Sequence, residues 1–174
     1  SFPMIQISEV ALKPEEIKFL KNNLSQYHWI ILTSRFAVQH FFGQLKKINY
    51  PMARLKKIDF AVIGQETAED LDFYDITPRV SASIETSEGL LKVLKEQYPL
   101  KGKKILFPRS SLPNPFLKKE LIKLGAKVKE ITIYQNTKPE WRELPKERID
   151  KVLFTSPSTV QNFLRDYGTI PDHW

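Results

Sequence analysis

The amino-acid sequence predicts an α/β fold, a parallel sheet with helices on both faces. Three observations carry that prediction. Apolar runs such as Trp29-Ile30-Ile31-Leu32, Phe60-Ala61-Val62-Ile63 and Lys104-Ile105-Leu106-Phe107 alternate with amphipathic helical patterns, the spacing of strands joined by crossover helices. The runs are apolar along nearly their whole length, as strands buried on both faces are. Finally, Leu32-Thr33-Ser34-Arg35-Phe36-Ala37-Val38-Gln39-His40-Phe41-Phe42 returns 122 positions later as Phe154-Thr155-Ser156-Pro157-Ser158-Thr159-Val160-Gln161-Asn162-Phe163-Leu164, with five of eleven positions identical. A strand whose exit opens a helix is thereby used twice, which predicts two similar α/β domains and a ligand site between them.

Taken in order, residues 2–7 read as a short extended strand. Pro14-Glu15-Glu16 then opens a helix, because proline suits its first turn and the acids its positive end. The buried strand Trp29–Leu32 is followed by a helix from Arg35 to about Leu45, and the strand Phe60–Ile63 by Gly64-Gln65-Glu66-Thr67, which turns into another. A Ser/Thr-rich stretch, Ser81 to Ser87, leads to the helix Gly89–Gln97. The strand Lys104–Phe107 ends in a loop, Pro108 to Pro115. Phe116 to Leu124 is a helix stopped by Gly125 in the left-handed cap position. Val128 to Tyr134 is a strand, and Thr137-Lys138-Pro139-Glu140 a linker. Val152-Leu153-Phe154 begins the second copy, whose helix carries to about Arg165. A strand and a helix alone bury no self-sufficient core, so further segments of that second domain are expected outside this sequence.

Composition narrows the function. Zero cysteines exclude disulfides, thiolate zinc sites and cysteine nucleophiles within the sequence. The three histidines, His28, His40 and His173, share no ligand-like spacing, so no metal is expected, and His28 and His40 read as structural. No run approaches the roughly 20 apolar residues of a membrane span, and no basic-then-apolar leader is visible; a cytoplasmic location without membrane partners is expected. The net charge of +7 points to an anionic partner. Lysine pairs such as Lys46-Lys47 and Lys103-Lys104 are scattered over separate elements and form no dense stripe. No nucleic-acid motif accompanies them, so a small polyanionic ligand fits better than nucleic acid.

Ligands of open parallel sheets bind beyond the carboxyl ends of the strands. Those ends are Thr33-Ser34-Arg35, Gly64-Gln65-Glu66-Thr67, Pro108-Arg109-Ser110-Ser111 and Thr155-Ser156-Pro157-Ser158. Free N–H groups at helix starts bind carboxylates and phosphates, and Arg35 and Arg109 stand there as bidentate carboxylate partners. The competing reading is that these hydroxyls simply cap helices. Gly-x-Ser-x-Gly, the phosphate loop and Gly-x-Gly-x-x-Gly are all absent. Tyr134, at the end of its strand and just before the linker, is the candidate acid; its alternative reading is a core or edge tyrosine.

The ordered strings Trp29-Ile30-Ile31-Leu32-Thr33-Ser34 with Val38, Ala61-Val62-Ile63-Gly64-Gln65-Glu66-Thr67-Ala68, Ile105-Leu106-Phe107-Pro108-Arg109, Gly125-Ala126-Lys127-Val128 through Ile133-Tyr134, and Val152-Leu153-Phe154-Thr155-Ser156-Pro157-Ser158 with Val160 resemble the uroporphyrinogen-III synthase family. The resemblance implies two flavodoxin-like domains joined by a two-stranded linker. On it, residues 1–8 are the outward linker strand, 9–130 a complete inserted domain, 131–142 the return strand, and 143–174 part of the second domain. The family's opening strand–helix unit would precede Phe2, and a second Gly-x-x-Thr-Ala segment would follow Trp174. The resemblance further implies a cofactor-free, monomeric lyase acting on hydroxymethylbilane, a linear tetrapyrrole bearing many carboxylates. Carried over by motif, Tyr134 is its acid, and Thr33, Ser34, Thr67, Arg109, Ser110, Thr155, Ser156 and Ser158 are its ligand contacts. A non-catalytic binder of a small polyanion is the alternative.

Overall fold

The computed structural model describes residues 4–112, 115–137, 139–140, 143–144, 146, 148–154 and 157–170, the last segment without the side chains of Pro157 and Ser158. The chain divides into two compact units, Glu9–Gln135 and Ser1–Ser8 with Asn136–Trp174.

The strands are β1 (Gln6–Glu9), β2 (Trp29–Leu32), β3 (Asp59–Ile63), β4 (Val80–Ala82), β5 (Lys104–Ser110) and β6 (Lys127–Thr137). The helices are α1 (Pro14–Asn23), α2 (Arg35–Lys47), α3 (Gln65–Asp72), α4 (Ser87–Gln97), α5 (Phe116–Lys123) and α6 (Pro157–Tyr167). One sheet of six strands has the order β1-β6-β5-β2-β3-β4, and β2–β3, β2–β5, β3–β4 and β5–β6 all pair in parallel. Counted from β2, the parallel set reads 3-2-1-4-5. That order differs from the flavodoxin-like 2-1-3-4-5 that the resemblance implied. The difference has a simple origin: the chain leaves β2 outward through β3 and β4, then returns past β2 to start β5. The carboxyl ends of β2 and β5 are therefore the topological switch point, where a doubly wound sheet opens a crevice.

Each buried strand has a side-chain set on each face. Trp29, Ile31, Ala61, Val80, Ala82, Ile105 and Phe107 pack with Leu90 and Leu94 of α4 and Leu117 and Leu121 of α5. Alternate residues Ile30, Leu32, Phe60, Val62 and Leu106 point the other way and are equally buried, as are Val38, Phe41, Phe42 and Leu45 of α2. Helix α2 thus lies over β2 and β5 on the face opposite α4 and α5. Helix α1 starts as read: Pro14 is its first residue, and the Glu16 carboxylate accepts from Lys13 N at 2.9 Å. Gly125, with φ of 84°, ends α5.

Several elements differ from the sequence reading. β1 begins at Gln6 rather than Phe2, which lies outside the described residues; its backbone meets β6, with Thr137 Oγ1 donating to Gln6 O at 3.2 Å and Val10 N to Ile133 O at 3.0 Å. β4 is an edge strand that overlaps the start of the Ser/Thr-rich stretch, and three residues are too few to show a period. β5 runs on through Pro108, Arg109 and Ser110, read as loop. Proline is tolerated because β2 pairs with β5 only as far as Ile30 and Leu106, so the missing N–H breaks no ladder there. Residues Val152–Phe154 form no strand, since among the described residues no neighbouring strand supplies their backbone partners. Helix α6 does form after them: Phe163 is buried against Phe154 (ring centroids 5.4 Å apart), and Asn162 Nδ2 donates to Met4 O at 2.9 Å.

Candidate active site

Because β2, β3, β5 and β6 are parallel, their carboxyl ends, and the residues read from sequence there, lie at one end of the sheet. Four of those ends carry the candidate chemistry of unit Glu9–Gln135.

At the exit of β2, Ser34 is extended (φ −164°, ψ 159°) and caps α2, its Oγ accepting from Ala37 N at 3.1 Å. The capping reading of this hydroxyl therefore holds. The same Oγ also lies 2.9 Å from the Tyr134 hydroxyl, so capping and a role at Tyr134 coexist. The register of β5 on β6 explains how Tyr134 reaches it. Arg109 pairs with Thr132 but Ser110 with Tyr134, so β6 carries one extra residue, a bulge. Alternation breaks there, and Ile133 and Tyr134 are both buried. Ser111 N donates to Tyr134 O at 2.9 Å, which pins the bulge to the loop after β5.

The phenol is 7% exposed, yet its surroundings are mixed. The His40 ring stacks on it at 5.4 Å with planes 15° apart, and Phe36, itself 45% exposed, approaches at 6.3 Å. Ser34 Oγ already accepts from Ala37 N. If Ser34 then donates its own hydrogen to Tyr134, the phenolic hydrogen remains free to donate outward. A phenolic hydrogen left free in this way is what a general acid requires.

Arg35, the first residue of α2, donates Nε to Asp70 at 3.1 Å and lies 3.6 Å from Glu66, both on α3. Gln39 Nε2 adds a bond of 3.1 Å to Asp70, which is itself buried. Arg35 remains 52% exposed, so its outer guanidinium edge is open to a carboxylate. Arg109 is placed differently. It donates Nη1 to Glu130 at 2.6 Å, Nε to Ser110 O at 3.1 Å and Nη2 to Leu112 O. With all three nitrogens engaged and 16% exposure, Arg109 holds the loop after β5 and does not stand open to an incoming carboxylate. Glu130 also accepts from Lys118 at 2.7 Å. Burial alone would raise its carboxyl, but the bonds from Lys118 and Arg109 outweigh that and hold it below the ordinary glutamate range.

Thr67 is buried in the first turn of α3. The N-terminus of that helix meets a carboxylate of the chain itself, Gln65 N donating to Glu85 Oε1 at 3.1 Å. Gly64 permits this turn: at φ 85° and ψ 151° it occupies backbone space that is almost exclusively glycine's, and an added Cβ would sit 3.1 Å from the Glu85 carboxylate. Gly64→Ala is expected to cost about 1–3 kcal/mol, read as a fall in urea midpoint; an unchanged midpoint would show that the turn relaxes freely.

Thr33 and Ser110 are half-buried beside Ser34 and Arg109. Thr155 and Ser156 lie outside the described residues, as does the side chain of Ser158. Sequence reasoning missed Phe36, Asp70 and Glu130 and took His40 as structural; their partners are distant in sequence, and no local pattern marks them. Among the described residues, no group of three or more His, Cys, Asp or Glu could hold a metal ion, and no helix is long and apolar enough to cross a membrane.

Comparison with known proteins gives the family of the chain. The uroporphyrinogen-III synthase of Chlorobaculum parvum is 26% identical over 176 residues, covering 97% of this chain and 69% of that protein. A mutant uroporphyrinogen III synthase of the extremely thermophilic bacterium Thermus thermophilus superposes with a TM-score of 0.65 at 20% identity, over 79% of this chain and 53% of that one. The uroporphyrinogen-III synthetase of Helicobacter pylori 26695 gives 0.64 at 18% identity, over 98% and 72%. The chain thus spans about two thirds of the first of these and about half of the Thermus structure. The two structures share the fold, and the family described as uroporphyrinogen-III synthase HemD matches residues 1–170. The chain belongs to the uroporphyrinogen-III synthase family, enzymes of tetrapyrrole biosynthesis.

Proposed function

We propose that the protein cyclises hydroxymethylbilane to uroporphyrinogen III with inversion of ring D, acting without a cofactor as a cytoplasmic monomer. Tyr134 is its general acid. The observation that carries this reading is the Tyr134 hydroxyl, 2.9 Å from Ser34 Oγ at the switch point of the sheet. A proton from the phenol assists departure of the substrate hydroxyl as water, leaving an azafulvene. Attack at the substituted carbon of ring D gives a spirocyclic pyrrolenine, whose reopening inverts that ring before closure. The proton released as the pyrroles regain aromaticity restores the phenol, and the net change is loss of water.

Holding a flexible linear tetrapyrrole folded supplies the remaining advantage, by converting a floppy closure into an oriented one. Backbone N–H groups at the start of α2, the outer edge of Arg35, and the hydroxyls of Thr33 and Ser110 are proposed to take the carboxylates, while Ser34 serves the phenol and Thr67, which is buried, lines the start of α3. Thr155, Ser156 and Ser158 join this set through the family resemblance alone. The net charge of +7 supports a polyanionic substrate.

The test is chromatographic. Purified full-length protein given hydroxymethylbilane is expected to yield the III isomer faster than the spontaneous I isomer appears. Isomer I alone, at the uncatalysed rate, would sink the proposal; saturable binding without ring closure would favour a non-catalytic polyanion binder.

A further inference from the structure

Helix α2 presents more to Tyr134 than the Ser34 hydroxyl. Phe36 and His40 are four residues apart, hence on one helix face, and both meet the Tyr134 ring. The two contacts differ. Phe36 is tilted by 47° at 6.3 Å, whereas His40 lies nearly parallel, 15° at 5.4 Å, in the offset-stacked range. His40 is half-buried, and among the described residues neither imidazole nitrogen has a hydrogen-bond partner. A leucine would fill such a site on an amphipathic helix. What the imidazole supplies beyond volume is a flat surface against the phenol.

That flatness matters for a proton donor. A phenolic O–H lies in the plane of its ring, because the oxygen lone pair conjugates with it. The oxygen sits on the ring axis, so rotation about that axis leaves the atom in place but swings the O–H bond. Ser34 holds the oxygen; it does not by itself set the ring plane. Resting on the reading of Tyr134 as the acid, we propose that His40 is a positioning residue for that phenol: its stacked ring sets the Tyr134 plane and so aims the proton. Ser34 fixes where the oxygen is, and His40 fixes which way its hydrogen points.

The test uses the full chain with His40→Leu, His40→Gln as a second ringless variant, and His40→Phe, which keeps a flat face. The ringless variants are expected to lower kcat about two- to tenfold, the range of an aromatic pair, with KM unchanged. His40→Phe should restore the rate. In a Tyr134→Phe background, His40→Leu should add nothing. Independently of turnover, the NMR signals of the Tyr134 ring, assigned by their loss in Tyr134→Phe, should move in the ringless variants and stay near their place in His40→Phe. Losses that multiply in the double variant, or Tyr134 signals that ignore the ringless changes, overturn the proposal. Should Tyr134→Phe itself leave turnover untouched, the acid reading falls instead, and the NMR signals still decide whether His40 holds the ring.

Discussion

Tyr134→Phe is expected to lower kcat toward the lower end of the roughly 10²–10⁴-fold range typical of a general acid, while the fold persists. The substitution removes one oxygen and leaves the ring, so the stack on His40 and the contact with Phe36 survive. Ser34 loses its partner at 2.9 Å but keeps the bond from Ala37 N. The stability change should therefore stay within about 1 kcal/mol, the net worth of a typical hydrogen bond. Steady-state kinetics with hydroxymethylbilane, paired with a thermal melt, separates the two effects. KM should change little, because the missing group acts on the leaving hydroxyl and not on the carboxylates. Unchanged kcat would remove the phenol from the mechanism, and a collapse of the melt would return Tyr134 to the core.

Glu130→Gln is expected to give the largest loss of stability that depends on pH. The carboxylate accepts from Arg109 at 2.6 Å and Lys118 at 2.7 Å with 19% exposure. Its carboxyl sits below the ordinary range in the folded protein: burial pulls upward, and the two charged donors more than compensate. A lowered folded-state value means that ionised Glu130 stabilises the fold fully above its unfolded value of about 4.3. That contribution disappears as pH falls through the folded-state value. At pH 7 the glutamine variant should be less stable by about 1–2 kcal/mol, below the cost of breaking a fully buried pair, because Lys118 is 39% exposed. The two proteins should converge once the pH has fallen through that folded-state value. Denaturant melts across that span check both statements; a gap that stays constant into acid would mean that the charge is irrelevant. Some turnover should also be lost, since Arg109 holds Ser110 O and Leu112 O in the loop whose Ser111 N grips the Tyr134 backbone.

Much of the fold was legible because it is locally encoded. Trp29–Leu32 and Asp59–Ile63 announce buried strands through composition, Pro14 and Glu16 mark the start of a helix, and Gly125 marks the end of another. The strand-end rule then singled out Thr33, Ser34, Thr67, Arg109 and Ser110, and all of them do lie at the carboxyl end of the sheet. The local string nevertheless presents Arg109 as a bidentate partner for a ligand carboxylate, because its actual partner Glu130 lies 21 residues away across a strand pair. Val152–Phe154 has strand composition but no neighbour among the described residues, and composition alone cannot supply a hydrogen-bond partner.

By itself, then, the sequence determined the alternation of strands and helices, the hydroxyl-rich exits, and Tyr134 as the residue to watch. Only the tertiary structure decided the strand order, the bulge that turns Tyr134, and the meeting of that phenol with Ser34 a hundred residues earlier in the chain. The reason is the range of the forces involved. Periodicity and capping act within a few residues and leave a trace in the local string. Register and strand order are set by how whole faces pack, and a shift of one residue in register sends a side chain to the other side of the sheet.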